Sequence, residues 1–318
     1  MSAAASASGT AGGLRLVERG PHCVEIAHAG GPLATYHWPQ HASHPYFHPL
    51  CHRASSGSLT NHAPFDHPWH AGHWWSWKKI NGVVFWENNH PDEQGRYHVA
   101  AHRHFTDGPR AVIEQDLELR PPTGEAWLTE RRVLTAHGAA PGADLPGGWA
   151  LDWSLQWTAR VDCTLDVTPK VTEQRWGGYG GLNVRPARAL AWDEQIITSE
   201  GGRGGEHDLK QMGSAHTTAA RWAAYAGRVD GEYDFPAGHA GVAVLDYPAN
   251  PRHPTPWYLW SAGPGMNGFG FIATAPTMHE PLVLARGATL ALRYRVVPFR
   301  GLPDVAALES AWQAFAAS

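Results

Sequence analysis

Apolar and polar residues alternate along most of this chain, in short runs separated by turn-forming residues. Residues 112–119, Val-Ile-Glu-Gln-Asp-Leu-Glu-Leu, alternate in their later part, as a strand with one wet face does. Residues 14–26, 127–134, 149–158 and 161–167 carry alternating or β-branched patterns, and 221–225, 242–245, 269–273 and 289–297 continue the style. The 35 Gly and 25 Pro punctuate these runs at short intervals. Many short strands joined by turns predict an all-β fold, a large antiparallel β-sandwich. Helical spacing is confined to the end, residues 303–317. There Asp304 is a cap and Val305, Leu308, Trp312 and Phe315 form one apolar stripe, predicting a short C-terminal helix packed on a sheet.

No internal repeat and no long linker interrupts the chain. Residues 135–148 and 201–205 read as loops within one domain. Residues 1–12 have neither a basic start nor an apolar core, so a disordered tail is expected there and a single domain over 13–318. Composition narrows the classes further. Net charge is −4 and no run of Lys or Arg occurs, which argues against nucleic acid as a partner. No apolar stretch reaches the length needed to span a bilayer, so no membrane partner is expected. Three widely spaced cysteines, Cys23, Cys51 and Cys163, fit reduced thiols and a cytoplasmic setting. The sequence leaves the oligomeric state open.

Histidine changes the picture. Of 21 His, 13 fall between His37 and His104, and 6 of 16 Trp fall between Trp38 and Trp86. Their densest stretch is Asp66-His-Pro-Trp-His-Ala-Gly-His-Trp-Trp75, preceded by Pro45-Tyr-Phe-His-Pro-Leu50 and followed by Asn81-Gly-Val-Val-Phe-Trp-Glu87. Prolines 45, 49, 64 and 68 exclude a regular helix, which puts these histidines on loops and strand ends. Imidazoles supply acid–base groups near neutrality, Asp66 and Glu87 can orient them, and indoles supply flat walls. A single His in such a stretch is more often structural. Concentration beside Asp and Trp favours a site, whereas His90, His98, His102 and His104 are expected to be structural.

The same inventory fits a metal. His67, His70 and His73 recur every third residue, and His48 and His253 complete a candidate ligand set. Tyr179-Gly-Gly-Leu-Asn-Val-Arg185 lets backbone approach a ligand and brings a guanidinium, the alternative being a tight turn with a salt-bridged Arg. Residues 246–257, with four prolines, offer Arg252 and His253 or else form a rigid crossover loop. Glu280 beside His279 makes a weaker acid–base candidate.

These motifs resemble the PmoA-like family. They are residues 45–50, Asp66-His-Pro-x-His70, Gly72-x-Trp74, Asn81-Gly-x-x-Phe-Trp86, 178–182, 250–257, Glu280-Pro-Leu282 and the closing strand at 290–297. Trp69 stands where that pattern has a second His, and His73 where it has an apolar residue. The family label refers to a methane oxygenase, but a chain without membrane spans takes no function from that name. The resemblance implies a β-supersandwich similar to galactose mutarotase folds, where a His acts as acid, a carboxylate as base, and Arg and further His bind sugar.

The expected function is therefore a carbohydrate-active enzyme acting on a sugar or oxidised sugar by epimerase, isomerase or lyase chemistry. His70, His67, Asp66 and Glu280 are the catalytic candidates. His48, Trp69, Trp74, Trp86, Tyr179, Arg185, Arg252 and His253 are the substrate-binding ones. No cofactor is assigned on this reading, and a divalent metal stays open. The alternatives are a hydrolase or oxygenase using a divalent metal held by His48, His67, His70, His73 and His253, and a non-catalytic sugar-binding module.

Overall fold

The computed structural model describes residues 13–29, 31–53, 57–90, 92–166, 177–201, 203–204, 216–230, 238–261 and 268–318. The expected tail over 1–12 lies outside them. Two large antiparallel sheets face each other. One has eight strands, in the order Arg15–Gly20, Cys23–His28, Gly31–His37, Tyr46–Leu50, His73–Ser76, Gly181–Val184, Gly270–Thr274 and Trp257–Ser261. The other has nine: Arg203–Gly204, Gln195–Thr198, Trp222–Arg228, His239–Asp246, Thr289–Arg300, Ala150–Ala159, Leu128–His137, Arg110–Arg120 and Arg96–Asp107. A separately hydrogen-bonded four-stranded sheet, Leu282–Leu284, Cys163–Asp166, Lys79–Ile80 and Val83–Val84, adds Ile80, Cys163, Leu165 and Leu284 to the same core. The sandwich class and the C-terminal helix are thus as the patterning predicts. The run over 14–26 is an exception: it folds back at Pro21–His22 into two paired strands.

Period-two burial builds the core between the sheets. Leu128–His137 alternates buried and half-buried along its whole length. Trp75 packs on Trp157 and Phe47 on Trp153 across the interface, with ring centroids 5.7 and 5.8 Å apart. Among these rings sits a fully buried ion pair, in which Arg132 Nε donates to Glu130 Oε1 at 2.6 Å. Trp157 Nε1 donates to the other Glu130 oxygen and Arg132 Nη1 to the Tyr36 hydroxyl, which leaves only Arg132 Nη2 of the pair without a hydrogen-bond partner among the described residues.

The helix Val305–Ala316 begins at Asp304, whose carboxylate accepts from the amides of Ala306 and Ala307. Its buried stripe is Leu308, Ala311 and Phe315, with Trp312 half-buried and donating to the Asp246 carbonyl. Val305, expected in the stripe, is exposed because the chain enters from solvent at that end. No helix among the described residues is long and apolar enough to cross a membrane.

Candidate functional site

On its outer face, away from the core, the eight-stranded sheet carries a second apolar layer. Leu259 and Ile272 point into the main core, while their neighbours Tyr258, Trp260 and Phe271 join a separate aromatic group. Over this group opens a cavity of ≈370 Å3 walled by Trp69, Trp86, Tyr179, Tyr258, Trp260, Phe269 and Phe271. Its remaining lining residues are His67, His70, Lys78 and Glu87.

Two consecutive turns position the histidines: His67 N bonds to the Pro64 carbonyl and His70 N to the His67 carbonyl. The three-residue step stacks the two imidazoles at 4.6 Å between centroids. Arg185, fully buried, arrives from the end of Gly181–Val184 and joins both turns. Its Nη2 donates to Asp66 Oδ2 at 2.6 Å and its Nη1 to His70 Nδ1 at 3.1 Å. Phe269 covers the guanidinium, whose centre lies 4.0 Å from the ring centroid.

Protonation states follow from the donors. A guanidinium donates only, so His70 Nδ1 must accept and the ring proton sits on Nε2. Burial, then the Arg185 charge, holds His70 well below the usual histidine range, which keeps it neutral. Asp66 is raised by burial but lowered more by Arg185 and His67, so it is a carboxylate. It therefore accepts from His67 Nδ1–H at 3.2 Å and leaves His67 Nε2 with a lone pair. Burial lowers His67 against the pull of Asp66. His67 keeps a side chain 37% exposed, so it is reachable. One imidazole can take a proton, while the other can offer a hydrogen bond.

Lys78 and Glu87 form an ion pair within the cavity wall. The second Glu87 oxygen, Oε2, is buried without a hydrogen-bond partner among the described residues. The Lys78 ammonium also lies 5.7 Å from the Tyr179 ring centroid.

Of the residues expected from sequence, Asp66, His67, His70 and Arg185 converge, and Trp69, Trp86 and Tyr179 line the cavity. Trp74 is a correction: it is fully buried behind His70, 5.4 Å from its ring, and offers no wall. Arg185 is likewise turned to Asp66 and His70 and does not line the cavity. The other candidates lie elsewhere. His48 Nδ1 is bonded to the Thr60 hydroxyl at 3.0 Å and its ring stacks on His62. His73 lies between the sheets, donating to the Asn183 carbonyl and accepting from Trp153 Nε1.

Arg252 donates to the carbonyls of Pro276 and Pro281, and His253 bonds Asp246 Oδ2 at 2.7 Å, so 246–257 is a braced crossover loop. Glu280 is 80% exposed and outside the cavity. The five-histidine metal set is thus dispersed. Among the described residues, no group of three or more His, Cys, Asp or Glu is placed to hold a metal.

A family model described as a family of unknown function, DUF6807, matches residues 23–313. The chain belongs to this family. The match supplies the DUF6807 family without the methane-oxygenase label. No curated protein matches the DUF6807 chain. Among solved structures it is similar to the α-galactosidase from Lactobacillus brevis, with TM-score 0.43 and 10% identity over 96% of this chain and 41% of that one. A heparan sulfate lyase mutant from Pedobacter heparinus gives TM-score 0.34 and 7% identity over 92% and 36%. The galactose 1-epimerase from Lactobacillus acidophilus NCFM gives TM-score 0.36 and 8% identity over 91% and 98%. The chain spans less than half the length of the first two. At such identities and scores these likenesses carry no chemistry to the DUF6807 chain.

Sequence reasoning missed Lys78, Tyr258, Trp260, Phe269 and Phe271, and used Glu87 only as an orienting group. The available signal was a pair of strands, Trp257–Ser261 and Gly270–Thr274, apolar on both faces. A sheet face that sequence makes aromatic rather than polar has something to cover or to bind.

Proposed function

We propose that this DUF6807 protein is a carbohydrate-active enzyme that moves a proton on a sugar or oxidised sugar bound in the aromatic cavity. The observation that carries the reading is the forked guanidinium of Arg185. It holds Asp66 with one nitrogen and His70 with the other, and so gives the two stacked imidazoles different tasks. His67 Nε2 takes a proton from a C–H or O–H of the ring, and Asp66 stabilises the imidazolium that forms. His70 Nε2–H donates to the oxygen on which negative charge develops. A neutral imidazole suits that task because it donates without becoming the acid. Return of the proton to another atom or face gives an isomer or epimer, and departure of a leaving group gives elimination.

The aromatic walls support a ring substrate whose C–H faces stack, and Lys78 and Glu87 supply polar contacts for its hydroxyl or carboxylate groups. In this reading His48 and Glu280 take no part, and Arg185 acts through its neighbours. Free thiols at Cys23, Cys51 and Cys163 fit work in a reducing compartment such as the cytoplasm.

The test is NMR of aldoses and uronates in D2O with the full chain. It reads anomer exchange, deuterium entering C–H positions and new vinylic signals together. The expected result is catalysis of one of these by wild type and its loss in His67→Ala. Saturable binding with no turnover across the panel would replace the enzyme with a sugar-binding module.

A further inference from the structure

A second groove, of ≈540 Å3, lies between residues 38–45 and the strand Arg96–Asp107, and the chemistry above makes no use of it. Trp38, His44, Arg96 and His102 are among its walls, with His22 at one end. None of its lining residues is acidic, and Arg96 is its one fixed cation. The acid opposite His98 on the neighbouring strand, Glu118, is taken by Arg120 Nε at 2.8 Å.

The backbone aims side chains into this groove. In Arg96–Asp107, Tyr97 and Val99 face inward opposite Leu119 and Leu117. Strict alternation would turn His102 outward. A register shift between Val99 and Ala101 instead sets His102 opposite the buried Gln115. Gln115 Nε2 donates to His102 Nδ1 at 3.3 Å, and His102 Nε2–H donates to His104 Nδ1 at 3.2 Å. Thus locked, the His102 ring stacks on Trp38 at 3.9 Å and holds that indole as a firm wall.

His44 is 3% exposed, both its ring nitrogens are closed to solvent and its ring stacks on Trp74, so it belongs to the closed floor of the groove. His22 Nδ1 is closed to solvent as well. Burial, then the Arg132 charge, pushes His44 down to about 3, against weaker pulls from backbone near Pro45 and Trp86. The imidazole is therefore neutral, and the floor of the groove adds no charge beside Arg96. Arg96 has only a 3.5 Å contact to the His41 carbonyl and no carboxylate partner among the described residues.

We propose that this groove is a second binding site, for a small hydroxylated carboxylate such as an open-chain sugar acid. Arg96 takes the carboxylate through its fork of donors, the exposed Gln40 at the rim takes hydroxyls, and Trp38 packs against the carbon chain. The site is independent of the first cavity and of the function read from it.

Isothermal titration of the full chain with sodium D-gluconate and with uncharged D-glucitol, together with crystals soaked in gluconate, tests the site. Gluconate is expected to bind with its carboxylate against Arg96 in the soaked crystals. Glucitol is expected to bind at least about tenfold more weakly, and Arg96→Gln to weaken gluconate by about tenfold or more, as for loss of a hydrogen bond to a charged group. Gluconate seen only in the first cavity or nowhere, equal affinity for glucitol, or an unchanged affinity in Arg96→Gln would overturn the proposal. The soaked crystal decides the matter even if the variant folds poorly.

Discussion

At the scale of single residues, one guanidinium sets the character of two imidazoles. Arg185 lies 115 positions from His70 and 119 from Asp66 in the chain, and nothing local in sequence says which carboxylate it meets. The residue types were legible and the pairing was not: Asp66 was expected to orient either histidine, and it is His67 that it holds. His67→Ala is expected to lower kcat by about 10²–10⁴-fold, the usual worth of a positioned base, with KM little changed. Steady-state kinetics on the substrate found by NMR checks this. An equal fall in kcat with His70→Ala is compatible with the account, but wild-type turnover in His67→Ala is not. The pH dependence has a definite sign. A base lowered by burial loses its proton below the ordinary histidine value, so kcat/KM is expected to rise with pH through an apparent value below about 6.5 and to stay high at neutrality. An acid limb centred above that value would assign the proton to a different group.

At the scale of elements, alternation was the dependable signal and departures from it carried the information. Leu128–His137 could be drawn as a half-buried strand from its pattern, although two of its inward positions are Glu130 and Arg132. Pattern reading has no way to expect a buried pair, because its stability depends on Tyr36 and Trp157 from distant strands. Glu130→Gln leaves a buried guanidinium without its counter-charge and is expected to cost about 3–5 kcal/mol. Glu130→Leu with Arg132→Met, which removes both charges, is expected to cost far less. Urea unfolding of the two variants separates pairing from packing, and equal losses would show that the charges are incidental to the core. The inward turn of His102 was equally hidden, since a one-residue bulge reverses which side chains share a face. Residues 269–273 read in the sequence as one more strand of the common style, and 257–261 was not read as a strand, so the aromatic outer face that Trp257–Ser261 and Gly270–Thr274 share was not expected.

At the scale of the molecule, each large sheet draws strands from both halves of the chain. The sandwich also encloses neutral histidines in number. Burial pushes His73 and His216 down to about 4 and His44, helped by Arg132, to about 3. His70 is lowered well below the ordinary value too. Each has a folded pKa below its unfolded one, so its stabilising contribution is present above the unfolded value near 6.5 and is lost as pH falls from there toward the folded value. The slope is about 1.4 kcal/mol per pH unit for each such imidazole. Depressed carboxylates, Asp66 and Asp152, add their losses only at lower pH. Denaturant midpoints are therefore expected to fall steeply between pH 7 and about 4. A flat midpoint over that window would mean that these imidazoles are charged, or free to charge, in the folded chain.

The division of labour between the two stacked imidazoles is tested most directly by two-bond nitrogen–proton NMR of the histidine rings at pH 7. The account predicts that His70 carries its proton on Nε2 with Nδ1 bare, and that His67 carries its proton on Nδ1 with Nε2 bare. A His70 protonated on Nδ1, or on both nitrogens, would contradict it, because Arg185 can then donate nothing to that ring.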